Sequence, residues 1–282
     1  MKAAGLDLGS TLAKAVWRDP GAPNGLALRR CERAAAPALL DELRAAGVRR
    51  LGVTGTGFRS LDLAGFAASE VTGADIDREV AVQARGARAL LAAEGRPIAG
   101  SMLVVSVGTG VSYGLSAPGA AARRFPLGSA LGGGFLRGLG ALLGAPDFAA
   151  LAAESASGHA ADILVADLLP ETSGTPVGEL VVAHFGRADA ATPRPDALAS
   201  LVATVATSIG RDLALLAQQP GWGLPEAVVF LGSTLALPAL AAALEGWTRR
   251  LGATPYLPAL GAHALALGAL LTLEDAAQED PS

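Results

Sequence analysis

The chain has 282 residues, 51% apolar and 17% charged, with 22 basic against 26 acidic side chains and a formal charge of −4. That length suffices for a buried core and two lobes, and the acidic balance, with no basic run beyond pairs such as Arg29-Arg30 and Arg249-Arg250, argues against a nucleic-acid partner. A single cysteine, Cys31, and three scattered histidines, His159, His184 and His263, exclude an internal disulfide and argue against a thiolate- or histidine-built metal centre.

Residues 2–8 and 13–18 read as strands around a first glycine turn, Asp7-Leu8-Gly9-Ser10-Thr11-Leu12-Ala13-Lys14. A second turn spans 21–25, a helix 35–47, and a short strand 50–54 ends in Gly55-Thr56-Gly57. Ile76, Val80, Ala84, Ala87 and Leu91 recur at helical spacing, predicting a helix over 76–93 behind the caps Asp75 and Asp77. Gly95-Arg96-Pro97 breaks the chain, and the pattern restarts with strands at 101–107 and 112–116 around Val107-Gly108-Thr109-Gly110-Val111-Ser112. Gly132-Gly133-Gly134 opens a helix to 143, and a long helix covers 197–218. A buried strand at 227–231 stops at Gly232-Ser233, followed by a helix at 235–251, a strand at 253–256 and a last helix at 261–273. The acidic residues from Glu274 onward are expected to fray. A hairpin followed by helix–strand alternation, occurring twice, predicts a duplicated α/β architecture. The expected lobes are 1–98 and 99–282, with the last helix free to return to the first. Apolar tracts such as 235–244 and 264–273 are short for a bilayer span, and Met1 to Leu6 run directly into Asp7. No membrane partner, no signal peptide and a cytoplasmic location are therefore expected.

Each glycine turn exposes backbone N–H groups and small hydroxyls, which suits a phosphate. Asp7, at a strand end beside the first turn, can hold a magnesium ion next to bound phosphates. Lys14 is one of only two lysines among the 22 basic residues, and offers a compact cation for a phosphoryl oxygen. Asp75, Asp77 and Glu79 are the concentrated candidates for a carboxylate that accepts a hydroxyl proton, and periodicity does not choose between them. Arg123-Arg124 offers a fork for a carboxylate substrate, and free N–H groups at the triglycine helix start would favour an anion.

With these residues laid out, the chain resembles the type II pantothenate kinases of the acetate kinase, sugar kinase, heat-shock and actin superfamily. Asp7-x-Gly9-Ser10-Thr11-Leu12-x-Lys14 is similar to that family's first phosphate motif, and residues 107–112 to its second. Residues 128–139 resemble a distinctive family stretch. His184-Phe185-Gly186, Val228-Val229-Phe230-Leu231-Gly232-Ser233, the run 252–256 and the run 261–270 follow in the expected order. The resemblance implies a duplicated, ribonuclease H-like actin fold with ATP and Mg2+ in a cleft between lobes. It implies nucleotide contacts from Asp7, Gly9, Ser10, Thr11, Lys14, Gly108, Thr109, Gly110, Gly232 and Ser233. It further implies Glu79 as catalytic base, pantothenate contacts from Ser112, Arg124, Gly128 and Gly132, CoA or acyl-CoA as a feedback ligand, and a homodimer formed through the C-terminal lobe. Ser10 stands where the family has glycine, and one extra residue before the glycine motif leaves Arg123 and Arg124 open as the substrate fork. Asp7-Leu8-Gly9-Ser10-Thr11, Thr54-Gly55-Thr56-Gly57-Phe58-Arg59 and Ala84-Arg85-Gly86-Ala87 also resemble the ATPase activators of 2-hydroxyacyl-CoA dehydratases, which need dimer-bridging cysteines. A nucleotide- or CoA-sensing regulator that kept the fold without the chemistry is the non-enzymatic alternative.

Overall fold

The computed structural model describes residues 1–55, 57–73 and 75–279. Thr56 of the third glycine turn and residues 280–282 of the acidic tail lie outside the described residues.

The first half builds a five-stranded sheet from β1 (Lys2–Leu8), β2 (Leu12–Arg18), β3 (Leu26–Glu32), β4 (Val48–Thr54) and β5 (Ala67–Glu70), in the order β3-β2-β1-β4-β5. The first three strands run antiparallel through two hairpins, and β4 and β5 lie parallel to β1. Helix α1 (Ala36–Ala45) crosses from β3 to β4 and buries Leu39, Leu40 and Leu43 against the sheet. Helix α2 (Ile76–Ala93) then leads to the second half.

That half repeats the plan with β6 (Met102–Val107), β7 (Val111–Ser116) and β8 (Arg123–Arg124). After a helical excursion come the buried strand β11 (Ala227–Leu231) and β12 (Thr254–Tyr256), giving the order β12-β11-β6-β7-β8. Read from its other edge, this sheet matches the first strand for strand: two antiparallel hairpin neighbours on one side of the founding strand and two parallel strands on the other. The duplication expected from the sequence is therefore present in the hydrogen-bond ladders.

The excursion holds α3 (Gly133–Leu142), α4 (Phe148–Ser157), β9 (Ile163–Leu164), α5 (Val165–Leu168), β10 (Val181–Ala183) and α6 (Arg194–Gln218). By length and composition α6 is apolar enough to cross a bilayer, which the tracts singled out in the sequence were not. Its Leu198, Leu201, Val205, Ile209 and Leu213 are buried in the second lobe's core. Helix α7 (Pro238–Arg250) joins the same core, and α8 (Ala264–Glu279) closes the chain.

Helix α8 packs on β1, β2 and β4 of the first sheet and along α2. A central core of Val16, Ala84, Leu91, Val104, Val229, Ala266 and Leu270 thereby joins side chains of both sheets and both helices. The helices approach to backbone contact. A Cβ on Gly86 would lie 1.8 Å from the Ala264 carbonyl oxygen, and one on Gly268 would lie 1.9 Å from that of Val82. The expected fraying from Glu274 is corrected, because the helix continues to Glu279. Arg18 holds Glu274 at 2.9 Å and Arg85 pairs with Asp275, so charge pairing to the first lobe and to α2 fixes these turns.

Candidate phosphate cleft

The β1–β2 and β6–β7 hairpins aim their glycine turns at one another. The Gly9 N–H donates to the Leu12 carbonyl at 3.0 Å, and the Gly108 N–H donates to that of Gly110 at 2.9 Å. The amides of Ser10, Thr11, Thr109 and Gly110 have no acceptor among the described residues. Across the gap, Thr109 Oγ1 lies 2.9 Å from Ser10 Oγ and 3.0 Å from Thr11 Oγ1. Two sets of unpaired backbone donors thus face each other through shared hydroxyls, the arrangement an anion needs.

A cavity of about 900 Å³ opens beside them. The first lobe supplies Gly9, Ser10, Thr11 and Lys14; the second supplies Gly108, Thr109, Gly110, Ser112, Arg124, Gly128 and Ser233. A smaller cavity of about 140 Å³ adjoins it and shares Lys14 and Ser106. Its walls bring in Asp7, Glu79, Gln83 and Gly232. The structure therefore gathers the sequence-selected residues around two connected spaces, with Gly132 absent from both walls.

Asp7 and Lys14 stand directly opposite on β1 and β2, and Lys14 Nζ donates to Asp7 Oδ2 at 2.9 Å. Asp7 is only 6% exposed, so this pairing compensates a carboxylate that burial would otherwise disfavour. Among the described residues no group of three or more His, Cys, Asp or Glu side chains could hold a metal by itself. A lone carboxylate beside a phosphate cradle fits magnesium, which keeps waters and takes the rest of its ligands from phosphate oxygens.

The first turn of α2 separates three acids that periodicity could not. Asp75 is the N-cap and accepts from the Asp77 and Arg78 amides at 2.9 and 3.2 Å. Asp77 Oδ1 accepts from the Arg124 amide at 2.5 Å, tying the helix to β8. Glu79, half-buried, is left facing the small cavity, with Gln83 Nε2 3.4 Å from its Oε1 and 3.5 Å from Ser106 Oγ. Burial pushes the Glu79 carboxyl above its ordinary range; the Arg124 charge opposes this and the Asp7 charge adds to it. Strand alternation likewise divides the arginine pair. Arg123 donates to the Gly221 carbonyl at 2.6 Å and lies over the Trp222 ring, whereas Arg124 lines the large cavity.

One expectation fails at the triglycine. The Gly133 and Gly134 amides donate to the Gly108 and Thr109 carbonyls, each at 2.8 Å, so these N–H groups are not free for an anion. The glycines instead let the start of α3 press on the second turn, since a Cβ on Gly133 would sit 2.9 Å from the Gly108 oxygen. Gly232 has φ +117° and abuts the Val107 backbone, a position for glycine alone. Ser233 Oγ next to it is buried with no partner among the described residues.

Sequence reasoning did not pick out Arg30, Ser106, Gln83, Arg137 or Thr234, all at the cavity walls. Gln83 carried a signal, being a polar residue one helical turn after Glu79 on the apolar face of α2. His184, left as a core or surface residue, has Nδ1 2.8 Å from Asp162 Oδ2, and the same aspartate accepts from the Phe185 amide. Neither lines the cleft.

No protein-family model matches the sequence, and no curated protein matches it. Solved structures do match over nearly its full length. Component A of the (R)-2-hydroxyglutaryl-CoA dehydratase of Acidaminococcus fermentans gives a TM-score of 0.65 at 20% identity, covering 98% of this chain and 99% of that one. The activator of the 2-hydroxyisocaproyl-CoA dehydratase from Clostridium difficile, solved with bound ADPNP, gives 0.62 at 18% identity over 99% and 96%. A ROK family glucokinase from Streptomyces griseus, in complex with glucose and AMPPNP, gives 0.49 at 17% over 99% and 100%. The first two likenesses, joined to the duplicated strand order, identify the fold as the two-lobed actin-like ATPase fold.

Proposed function

We propose that this chain binds magnesium-ATP in the cleft and transfers the γ-phosphoryl group to the primary hydroxyl of pantothenate, giving 4′-phosphopantothenate. The observation that carries this reading is Glu79: a half-buried carboxylate in the wall of the small cavity that adjoins the phosphate cleft, held only by the Gln83 amide at 3.4 Å, with Arg124 close enough to influence its proton affinity. The unpartnered amides of Ser10, Thr11, Thr109 and Gly110, together with Lys14, hold the phosphates. Asp7 would help hold a magnesium ion, which would supply charge neutralisation at the phosphoryl group. Glu79 takes the hydroxyl proton, Arg124 pairs with the acceptor carboxylate, and Ser112 on the neighbouring strand assists. Gly232 and the unpartnered Ser233 hydroxyl serve the adenosine, while Gly128 shapes the acceptor wall and Gly132 packs behind the second turn. The choice of pantothenate rests on the motif resemblance, and CoA thioester feedback belongs with it. A homodimer through the second lobe rests on the same resemblance; the excursion there exposes Leu168, Leu169, Val177 and Val182.

The second reading, an ATPase activator of a dehydratase, is favoured by the full-length likeness to one dehydratase activator solved with ADPNP and to component A of another dehydratase. Against it stands Cys31, the chain's one thiol, which lies in the wall of the large cavity. Two copies supply two thiols, where a cubane iron–sulfur cluster takes four. The deciding assay follows ADP release from magnesium-ATP with and without pantothenate, and phosphorylated product by mass spectrometry. The kinase reading expects pantothenate-dependent turnover. ATP hydrolysis indifferent to pantothenate, with iron in anaerobically purified protein, would establish the activator instead.

A further inference from the structure

Arg30 lies on β3, and the strand register sets it directly opposite Lys14, which is itself directly opposite Asp7. Cross-strand partners project from the same face with Cβ atoms about 4.5–5.5 Å apart, and like charges so placed repel. One carboxylate therefore serves two neighbouring cations, and Lys14 Nζ already takes it at 2.9 Å. Arg30 has no carboxylate or carbonyl partner among the described residues. Its neighbour Arg29, on the opposite face, pairs with Glu42 and donates to the Leu28 carbonyl. Glu32 lines the same wall as Arg30 but forms no ion pair with it.

Both cations of this repelling pair line the large cavity beside the first glycine turn. The turn and β3 are tied together, since the Arg33 amide donates to the Thr11 carbonyl at 2.9 Å. From the other lobe, Arg124 and Arg137 face the same space, also without an ion-pair partner among the described residues. A fold that sets two cations on neighbouring strands of one cavity wall, with a carboxylate bound to only one of them, leaves the second charge for an anion in the cavity.

We propose that Arg30 is a polyphosphate-binding residue, forming with Lys14 a cross-strand cationic clamp on the phosphate chain of the bound nucleotide. Lys14 supplies a point charge, and the Arg30 guanidinium a planar fork for two phosphoryl oxygens. The ligand's identity as a nucleotide rests on the function proposed above; the anion preference does not.

The test is titration calorimetry of wild type and Arg30→Gln with inorganic tripolyphosphate, magnesium-ATP and adenosine, with melting of the ligand-free proteins alongside. Losing a charge-assisted contact should weaken tripolyphosphate and ATP by about 10-fold or more while adenosine is unaffected. The ligand-free variant should melt no lower than wild type, because the repulsion with Lys14 is gone. Unchanged tripolyphosphate and ATP affinity overturns the clamp, as does an effect confined to the KM of the acceptor. Arg30-dependent tripolyphosphate binding without ATP binding keeps the clamp and removes the nucleotide reading. Should Arg30→Gln not fold, Arg30→Lys keeps the charge without the fork and must still bind both polyphosphates more weakly; equal binding overturns the proposal.

Discussion

Glu79 owes its availability to its neighbours. Asp75 caps the helix and Asp77 fastens it to β8, so the next acid along the turn reaches the cavity with only a long contact to the Gln83 amide. Glu79→Gln should lower phosphoryl-transfer turnover by about 10²–10⁴-fold, with ATP affinity held, in a steady-state assay paired with calorimetry. Its carboxyl is raised in the folded state by burial, so folding favours the protonated form. The stability this group confers is present below the ordinary carboxylate range and lost as pH rises through the raised value. Glu79→Gln should therefore melt above wild type near neutral pH, and the gap should close in acid. The acid limb of the rate profile should fall through the same raised value. Arg124→Met removes the charge that opposes the shift, so its limb should move to higher pH, and its acceptor KM should rise about 10-fold or more. Arg123→Met, which loses only the Trp222 and Gly221 contacts, should leave both unchanged. If the two arginine variants behave alike in the kinetic assay, the division made by strand alternation is wrong.

The contact between α2 and α8 is set by glycine at both crossing points. Gly86→Ala would drive a methyl group into the Ala264 carbonyl from 1.8 Å, where backbone rather than a movable side chain must yield. A loss of at least about 1–3 kcal/mol is expected from urea unfolding, and a stability equal to wild type would show that the helices are not in contact. Helix α2 was legible because its apolar residues repeat at helical spacing behind an aspartate cap, and both hairpins because glycine turns divide apolar runs. Strands β3 and β5 were not. One carries Arg29, Arg30 and Glu32 on a sheet edge, and all of the other is exposed, so neither shows the apolar signal by which strands are read. The short excursion elements are set by contacts such as Asp162 with His184, which join residues distant in sequence. For the cleft, Asp7 and Lys14 stood out locally as an acid and a rare lysine at a glycine turn, whereas Glu79 was one of three acids in the first turn of α2 and only the motif resemblance chose it. Arg30 did not, because only the pairing of β2 with β3 reveals that it faces Lys14. The triglycine misled for the complementary reason: its amides look free until the second turn is folded against them.

At the scale of the molecule, the division at residue 98 follows the sequence repeat and each lobe's own core, but not the central core between the sheets. Helix α8 belongs to the second half by sequence, yet it packs on β1, β2 and β4. It also contributes Ala266 and Leu270 to the core in which Val16 of the first sheet meets Val104 and Val229 of the second. A fragment of residues 1–98 would lose that cover and leave β1 and α2 with apolar faces in water, each buried leucine-sized side chain forfeiting about 1.5–3 kcal/mol. The whole protein should accordingly unfold in a single calorimetric transition, since each sheet buries one face in a central core built jointly with the other half. Fragment 1–98 expressed alone should be unfolded by circular dichroism. A version of it carrying α8 through a flexible linker should regain helix and strand signal, because the missing contacts lie within the first lobe. Two resolved transitions in the intact chain, or a cooperatively folded 1–98 fragment, would mean that α8 is an accessory to the first lobe and that the cleft is closed by the turns alone.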